Sequence, residues 1–91
     1  MLFVISCVDK AGHAQVRAAN RDAHIDYLKA HRDQIFSAGP TTSDDRETMT
    51  GSLLIMDFPD RAGAEAFAAE DPYQKAGLFE SVEIKAWKKV F

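Results

Sequence analysis

Apolar side chains are concentrated in two short runs of the chain, residues 1–8 and 52–58. Both runs are rich in β-branched, aromatic and long aliphatic residues, which is typical of β-strands. The faces of the first predicted strand carry Leu2, Val4 and Val8 on one side and Phe3, Ile5 and Cys7 on the other. A strand that is apolar on both faces needs to be covered on both of them.

Residues 14–35 show the period of an amphipathic helix, with successive side chains about 100° apart. Asp22, Asp26, Lys29 and Asp33 lie on its solvent side. One broad arc on the other side contains these residues: Arg17, Asn20, Arg21, His24, Tyr27, Leu28, His31 and Ile35. The arc is polar in its first half and apolar in its second, so we expect one end of the helix to line a cleft and the other to pack in the core.

The remaining elements are predicted from shorter signals. Residues 9–13 form a turn around Gly12, residues 35–40 form a weak strand that Pro40 ends or confines to a sheet edge, and residues 41–51 form a polar, solvated hairpin loop. The second apolar run is the next strand. A final, half-buried strand is expected over residues 81–87.

Two helices are predicted before the last strand from their capping residues. Asp60 is a suitable N-cap for a packing helix over residues 61–70. Asp71, Pro72 and Gly77 have the spacing of an N-cap, a first residue and a terminator of a one-turn helix.

The predicted order is β-α-β-β-α-β with a short extra helix before the last strand. This is the ferredoxin-like arrangement of an α+β fold, in which helices cover one face of an antiparallel sheet. We expect a single domain over residues 1–91. The other face of the sheet would remain apolar and uncovered, so the sequence predicts a homodimer that forms through this face.

Composition restricts the possible partners. The chain is 46% hydrophobic and 27% charged, which is ordinary for a soluble globular protein, and its net charge is −3. Eleven basic residues scattered among fourteen acids do not favour binding to nucleic acid or to an anionic membrane surface. The opening apolar run ends at Asp9, so it is too short for a signal peptide or a membrane span.

The chain has one cysteine, Cys7, which lies inside the first apolar run. A single cysteine cannot form an internal disulfide, so we expect a reducing compartment and a cytoplasmic location. A buried thiol that packs as a small hydrophobic group is favoured over a nucleophile.

His24 is the leading candidate for catalysis, with a core or hydrogen-bonded histidine as the structural alternative. Arg17 and Arg21 precede it on the same arc, and two cations beside an imidazole suit an anionic or phenolic ligand. Both arginines could instead be surface or ion-paired residues. Asp71 is the candidate partner that orients the imidazole, although capping alone would explain its presence.

Two further residues are candidates for substrate binding. Ser52, at the start of a strand, could supply a hydroxyl, or it could be an ordinary strand residue. Tyr73 and Tyr27 are interpreted first as packing aromatics with a hydroxyl at the rim of the site, and Tyr73 is retained as a binding candidate.

Metal and cofactor motifs are missing from the sequence. His13, His24, His31 and Cys7 do not have a zinc-site spacing, and the two helical histidines are seven residues apart. There is no glycine-rich phosphate loop and no nucleophile elbow. We therefore expect no metal, nucleotide or other cofactor.

The chain resembles the YCII-related domain family along nearly its whole length. The matching segments are the opening strand into Asp9-Lys10, Arg17, Arg21 and His24 on one helix, Ala38-Gly39-Pro40, Gly51-Ser52, Asp71-Pro72-Tyr73 with Ala76-Gly77, and Lys88-Lys89-Val90-Phe91. The resemblance implies the dimeric α+β barrel fold, which muconolactone isomerases and small monooxygenases share. It also implies an active site built on a histidine and an aspartate, which correspond to His24 and Asp71, with Arg17, Arg21 and Ser52 nearby.

The chain departs from the family pattern at two places. Asp22 stands where the family often has proline, and the loop over residues 41–51 is short. Any contact that this loop makes with a ligand is therefore not implied by the resemblance.

Three functions remain open at this point. The first is a cofactor-free lyase or isomerase acting on a small hydroxylated or carboxylated ring, with His24 as the base, Asp71 as its partner and the two arginines as anion-binding groups. The second is a non-catalytic small-molecule binding or regulatory module that uses the same pocket. The third is a dimeric accessory domain in which His24 and Asp71 have only structural roles.

Overall fold

The computed structural model describes all 91 residues. Its elements are β1 (Leu2–Asp9), α1 (Ala14–Ala30), a 3-10 turn (Arg32–Gln34), β2 (Ile35–Thr42), β3 (Met49–Asp57), α2 (Arg61–Glu70), α3 (Pro72–Lys75) and β4 (Phe79–Trp87). The four strands form one antiparallel sheet in the order β2-β3-β1-β4. The predicted ferredoxin-like α+β fold is confirmed. No helix has both the length and the apolar character needed to cross a membrane.

Helix α1 is shorter than its sequence pattern predicts. It ends at Ala30, and His31 leaves the helical region with φ −112° and ψ 21°. Ile35, which the pattern places on the helix, instead begins β2 and pairs with Met56 of β3. Pairing with a buried strand residue satisfies the backbone and covers the side chain of Ile35, so tertiary contacts override the helical period there.

Strand β2 lies at the edge of the sheet, as Pro40 indicates. Proline has no amide hydrogen to donate to a neighbouring strand, and an edge strand tolerates this because it has a neighbour on one side only. The strand continues past Pro40, however, and Thr41 pairs with Gly51 and Thr42 with Met49. The hairpin loop is therefore confined to residues 43–48 and β3 begins three positions before Ser52. The prediction of a loop over residues 41–51 is wrong at both ends.

The core lies between the sheet and the helices. Phe3 and Ile5 of β1 face Met56 and Leu54 of β3, and all four side chains are at most 2% exposed. The core also includes these buried residues from the rest of the chain: Phe58, Ala64, Phe67, Tyr73, Leu78 and Phe79. This packing covers one of the two apolar faces predicted for the first strand.

The opposite face of the sheet is uncovered, and its β1 and β3 parts are largely apolar, whereas β4 adds the exposed charges of Glu83 and Lys85. Leu53 and Trp87 remain 41% and 37% exposed, and Phe36 reaches towards Trp87 with their ring centroids 6.1 Å apart. Leu2 and Val4 of β1 lie between them and are only partly buried. Strand β1 thus has apolar side chains on both faces, as its sequence predicts.

The capping predictions are confirmed for both short helices. Asp60 accepts a hydrogen bond from the backbone amide of Gly63 at 3.0 Å at the start of α2. Asp71 accepts one from the amide of Tyr73 at 2.9 Å, with Pro72 as the first residue of α3. Gly77 follows α3 with φ +76°, a conformation that favours glycine.

Gly51 should be intolerant of any side chain. A Cβ built there would lie 2.1 Å from the carbonyl oxygen of Cys7 on the neighbouring strand. Because both groups belong to paired backbones, Gly51→Ala should lower the free energy of unfolding by about 3 kcal/mol. Chemical denaturation checks this, with Gly39→Ala as the control because a Cβ at Gly39 meets nothing within 4 Å. Equal stability of the two variants would contradict the prediction.

Candidate functional site

His24 is the one buried residue of α1, and its imidazole meets the carboxylate of Asp71. The Nδ1 atom of His24 lies 3.0 Å from Oδ1 of Asp71, and the two residues are 7% and 3% exposed. The same oxygen accepts the amide hydrogen of Tyr73. A carboxylate oxygen of this kind accepts hydrogen bonds, which assigns a hydrogen to Nδ1, so the lone pair of the neutral imidazole is on Nε2.

Nε2 of His24 faces open space. It forms no hydrogen bond with the protein, whereas every fully buried side-chain nitrogen or oxygen of the molecule has a partner. His24 also lines a cavity of about 560 Å³. The basic nitrogen is therefore accessible from this cavity, while the other nitrogen is held by Asp71.

The cavity lies between α1 and the part of the sheet that contains β2 and β3. Its volume is within the range of small-molecule sites, about 300–1,000 Å³, so one substituted ring can enter it. The wall from α1 includes Arg17, Arg21, His24, Ile25 and Leu28. The opposite wall includes Ala38, Gly39, Pro40, Glu47, Thr48 and Met49, and Ser52, Leu54 and Tyr73 also line the cavity.

Tyr73 fixes the plane of the imidazole. Its ring stacks on His24 with a centroid distance of 4.0 Å and an interplanar angle of 16°. The guanidinium carbon of Arg17 lies 4.6 Å from the centre of the Tyr73 ring. Burial raises the pKa of the Tyr73 phenol, and the positive charge of Arg17 lowers it by less. The phenol is therefore neutral near pH 7.

The sequence predicts a hydroxyl at the rim of the site for both tyrosines, and this prediction is wrong for Tyr27. Tyr27 donates its hydroxyl hydrogen to the carbonyl of Phe67 at 2.7 Å and does not line the cavity. Burial, followed by the charges of Asp71 and Glu70, raises the pKa of Tyr27 to about 12. Tyr73 is 2% exposed as a whole residue and lines the cavity.

Arg17 is held by residues from two strands. Its Nε and Nη2 atoms donate to the carboxylate of Asp9 at 2.8 and 2.9 Å, and Nη2 also donates to Oγ of Ser52 at 3.1 Å. Burial alone would lower the pKa of Arg17, but the hydrogen bonds and charge of Asp9 outweigh burial and raise it. The guanidinium is therefore permanently charged and rigidly placed.

Ser52 is 3% exposed and lines the cavity beside Arg17. Because its oxygen accepts from Arg17 and its hydroxyl donates to no protein group, the hydroxyl hydrogen can point to a ligand. The sequence indicates Ser52 by its predicted position at a strand start and by the family resemblance of the Gly51-Ser52 segment. Its alignment with Arg17 arises from the pairing of β3 with β1.

Arg21 and Glu47 are the exposed charges of the cavity. Arg21 lies one helical turn before His24, and Glu47 is in the β2–β3 loop. Sequence reasoning interpreted that loop as solvated, and it did not identify Glu47, Thr48 or Met49 as lining residues. It also missed Asp9, since no spacing rule links the end of a strand to a residue on the next helix.

Cys7 is not a usable nucleophile. It is 4% exposed, and burial, followed by the charge of Asp71, raises the pKa of its thiol to about 12. A protonated, inaccessible thiol reacts poorly, so the interpretation of Cys7 as a packing residue agrees with the structure. No cluster of three or more His, Cys, Asp or Glu side chains in the molecule could hold a metal ion.

The fold agrees with a match to a known family. Residues 1–88 match the YCII-related domain, and the chain belongs to this family. Protein YciI of Escherichia coli is 38% identical, with both chains fully covered. An uncharacterised protein of Haemophilus influenzae is 35% identical, also over the full length of both chains.

Solved structures show the same relationship. The 5-chloro-2-hydroxyhydroquinone dehydrochlorinase TftG of Burkholderia phenoliruptrix, in complex with 2,5-dihydroxybenzoquinone, has a TM-score of 0.89 and is 40% identical to the chain. That alignment covers 97% of this chain and 94% of the other. A Pseudomonas aeruginosa protein with a TM-score of 0.57 is 14% identical, with 99% and 93% of the chains covered, and shares the fold alone.

Proposed function

We propose that the chain is a cofactor-free enzyme that catalyses elimination or isomerisation on a small hydroxylated ring, with His24 as the general base. The observation that carries this proposal is the geometry of the pair: Asp71 holds Nδ1 of His24 at 3.0 Å while Nε2 is open to the cavity. A base held in one tautomer beside a ring-sized cavity can take a proton from a bound ligand.

The other candidate residues would bind and orient the ring. Arg21 supplies an unpaired positive charge on the α1 wall of the cavity, which stabilises an oxygen anion as it forms, while Arg17 positions Ser52. The hydroxyl of Ser52 can donate to the same oxygen, and Tyr73 keeps the imidazole in a fixed plane. Asp71 stabilises the imidazolium that forms when His24 is protonated.

The reaction of the similar dehydrochlorinase can be written with these residues alone. His24 takes a hydroxyl proton of 5-chloro-2-hydroxyhydroquinone and returns it to the carbon that carries chlorine, which gives a keto tautomer. A second hydroxyl proton then passes to His24, and that oxygen's electron pair forms a carbonyl. The adjacent π pair forms a new C=C bond and chloride leaves with the C–Cl pair. The quinone product requires no external oxidant.

Turnover of this compound is the direct test. The purified protein, without added metal or cofactor, should release chloride and form a product lighter by one HCl, both above the uncatalysed rate. Chloride titration and mass spectrometry measure the two quantities. A rise in melting temperature with no product from this or related chlorinated and carboxylated rings would contradict catalysis. That result would support the non-catalytic binding module.

We also infer that the apolar sheet face is covered by a second copy of the chain. Leu53 and Trp87 expose apolar surface there, and Val4 lies between their strands. Burial of such surface contributes about 25 cal/mol per Å², which favours a symmetric dimer. The lone Cys7 forms no disulfide, and we expect the dimer to act in the cytoplasm.

A charged residue at the centre of this face should separate the two copies. Leu53→Lys is expected to convert a dimer to a monomer at micromolar concentration, because two buried ammonium groups would be unpaired. Analytical ultracentrifugation measures the mass of each species. Asp26→Lys, on the exposed side of α1, is the control and should remain dimeric. A wild-type monomer would disprove the inference.

A further inference from the structure

The ionisable side chains of the cavity fall into two groups. Arg17 is paired with Asp9 at 2.8 Å, and His24 is paired with Asp71 at 3.0 Å. Arg21 and Glu47 also line the cavity, but neither has an ion-pair partner and they do not pair with each other. The cavity therefore has one uncompensated positive and one uncompensated negative side chain.

These two charges come from opposite walls. Arg21 belongs to α1, three residues before His24, which is about 4.5 Å along the helix axis. Glu47 belongs to the loop between β2 and β3, across the cavity from α1. A ring bound between the walls would present one end to the guanidinium and another to the carboxylate.

We propose that Arg21 and Glu47 are specificity-determining residues that select a singly charged ring with a neutral hydroxyl. Arg21 binds the anionic oxygen of such a ring. Glu47 accepts a hydrogen bond from the hydroxyl and repels a second anion. This proposal rests on the proposed function and adds the charge state of the substrate.

Arg17 has a different role from Arg21. Its charge is balanced by the carboxylate of Asp9, and its other contacts are with the oxygen of Ser52 and the ring of Tyr73. A guanidinium whose charge is largely balanced by a neighbouring carboxylate contributes little additional attraction to an anion in the cavity. Arg17 is thus a positioning residue for Ser52 and Tyr73, whereas Arg21 supplies the attraction.

Three rigid probes distinguish the two ends of the site: para-hydroxybenzoate, terephthalate and hydroquinone. The first has one charge and one hydroxyl, the second has two charges, and the third has no charge near pH 7. Isothermal titration calorimetry should show that the wild-type protein binds para-hydroxybenzoate about tenfold more tightly than either of the others.

Each variant should remove one preference. Arg21→Gln should abolish the advantage of para-hydroxybenzoate over hydroquinone, and Glu47→Gln should abolish its advantage over terephthalate. Both side chains are exposed, so neither change should impair folding. Arg32→Gln, an exposed arginine outside the cavity, is the control and should preserve both preferences.

The results separate this proposal from the proposed function. A wild-type protein that binds none of the probes, or that binds all three equally, would overturn the assignment of Arg21 and Glu47. So would preferences that survive in both variants, even if the chain turns over a substrate. The predicted binding pattern in a protein that forms no product would instead preserve the specificity residues and reject catalysis.

Discussion

Replacing His24 with asparagine is expected to lower kcat about 1,000-fold on a ring substrate that the protein turns over, in line with the contribution of a positioned general base. Asparagine has no basic nitrogen, so it cannot take the proton that reaches Nε2 of His24 in the wild-type protein. Its amide nitrogen occupies the position of Nδ1 and can still donate to Asp71, which preserves the buried hydrogen bond. Ligand affinity should therefore change little, and steady-state kinetics with calorimetry separate the two effects.

His13→Asn is the matched control for this measurement. His13 precedes the first turn of the same helix, bonds to the carbonyl of Ala11 and does not line the cavity. Its replacement should leave kcat unchanged. If His24→Asn retained wild-type turnover while binding the ligand normally, the base would have to be another group and the proposed mechanism would be wrong.

The local elements of the fold could be predicted because their signals are contained in a few neighbouring residues. Asp60 and Asp71 cap helices from positions where their side chains reach amides two or three residues ahead. Pro72 and Gly77 then start and terminate the short helix by their backbone preferences alone. The length of α1 could not be predicted in the same way, since the pairing of Ile35 with Met56 decides where the chain leaves the helix.

The candidate site was predictable only in part for the same reason. The period of α1 places Arg17, Arg21 and His24 on one face, and resemblance to a family links Asp71 to His24 across 47 positions. The partnership of Arg17 with Asp9 depends on how the first strand lies beside the helix. The presence of Glu47 in the cavity depends on the conformation of the β2–β3 loop. No local sequence pattern predicts the Arg17–Asp9 pair or this loop conformation.

Substitutions at Asp71 should separate its two structural roles from its charge. Asp71→Asn keeps an oxygen that can accept from the amide of Tyr73 and from Nδ1 of His24, so stability should fall by less than about 1 kcal/mol. The negative charge that stabilises the imidazolium is lost, however. We expect kcat to fall about 100-fold or more in steady-state assays.

Asp71→Ala removes the cap and leaves Nδ1 of His24 buried without an acceptor. The two losses together should lower the free energy of unfolding by about 3 kcal/mol, measured by denaturant titration. Asp60→Ala is the control, because it removes a similar cap from α2 at an exposed position and leaves His24 intact. It should cost about 1 kcal/mol and leave kcat unchanged. Equal losses of stability in the two alanine variants, with full activity in Asp71→Asn, would show that Asp71 acts as a cap alone.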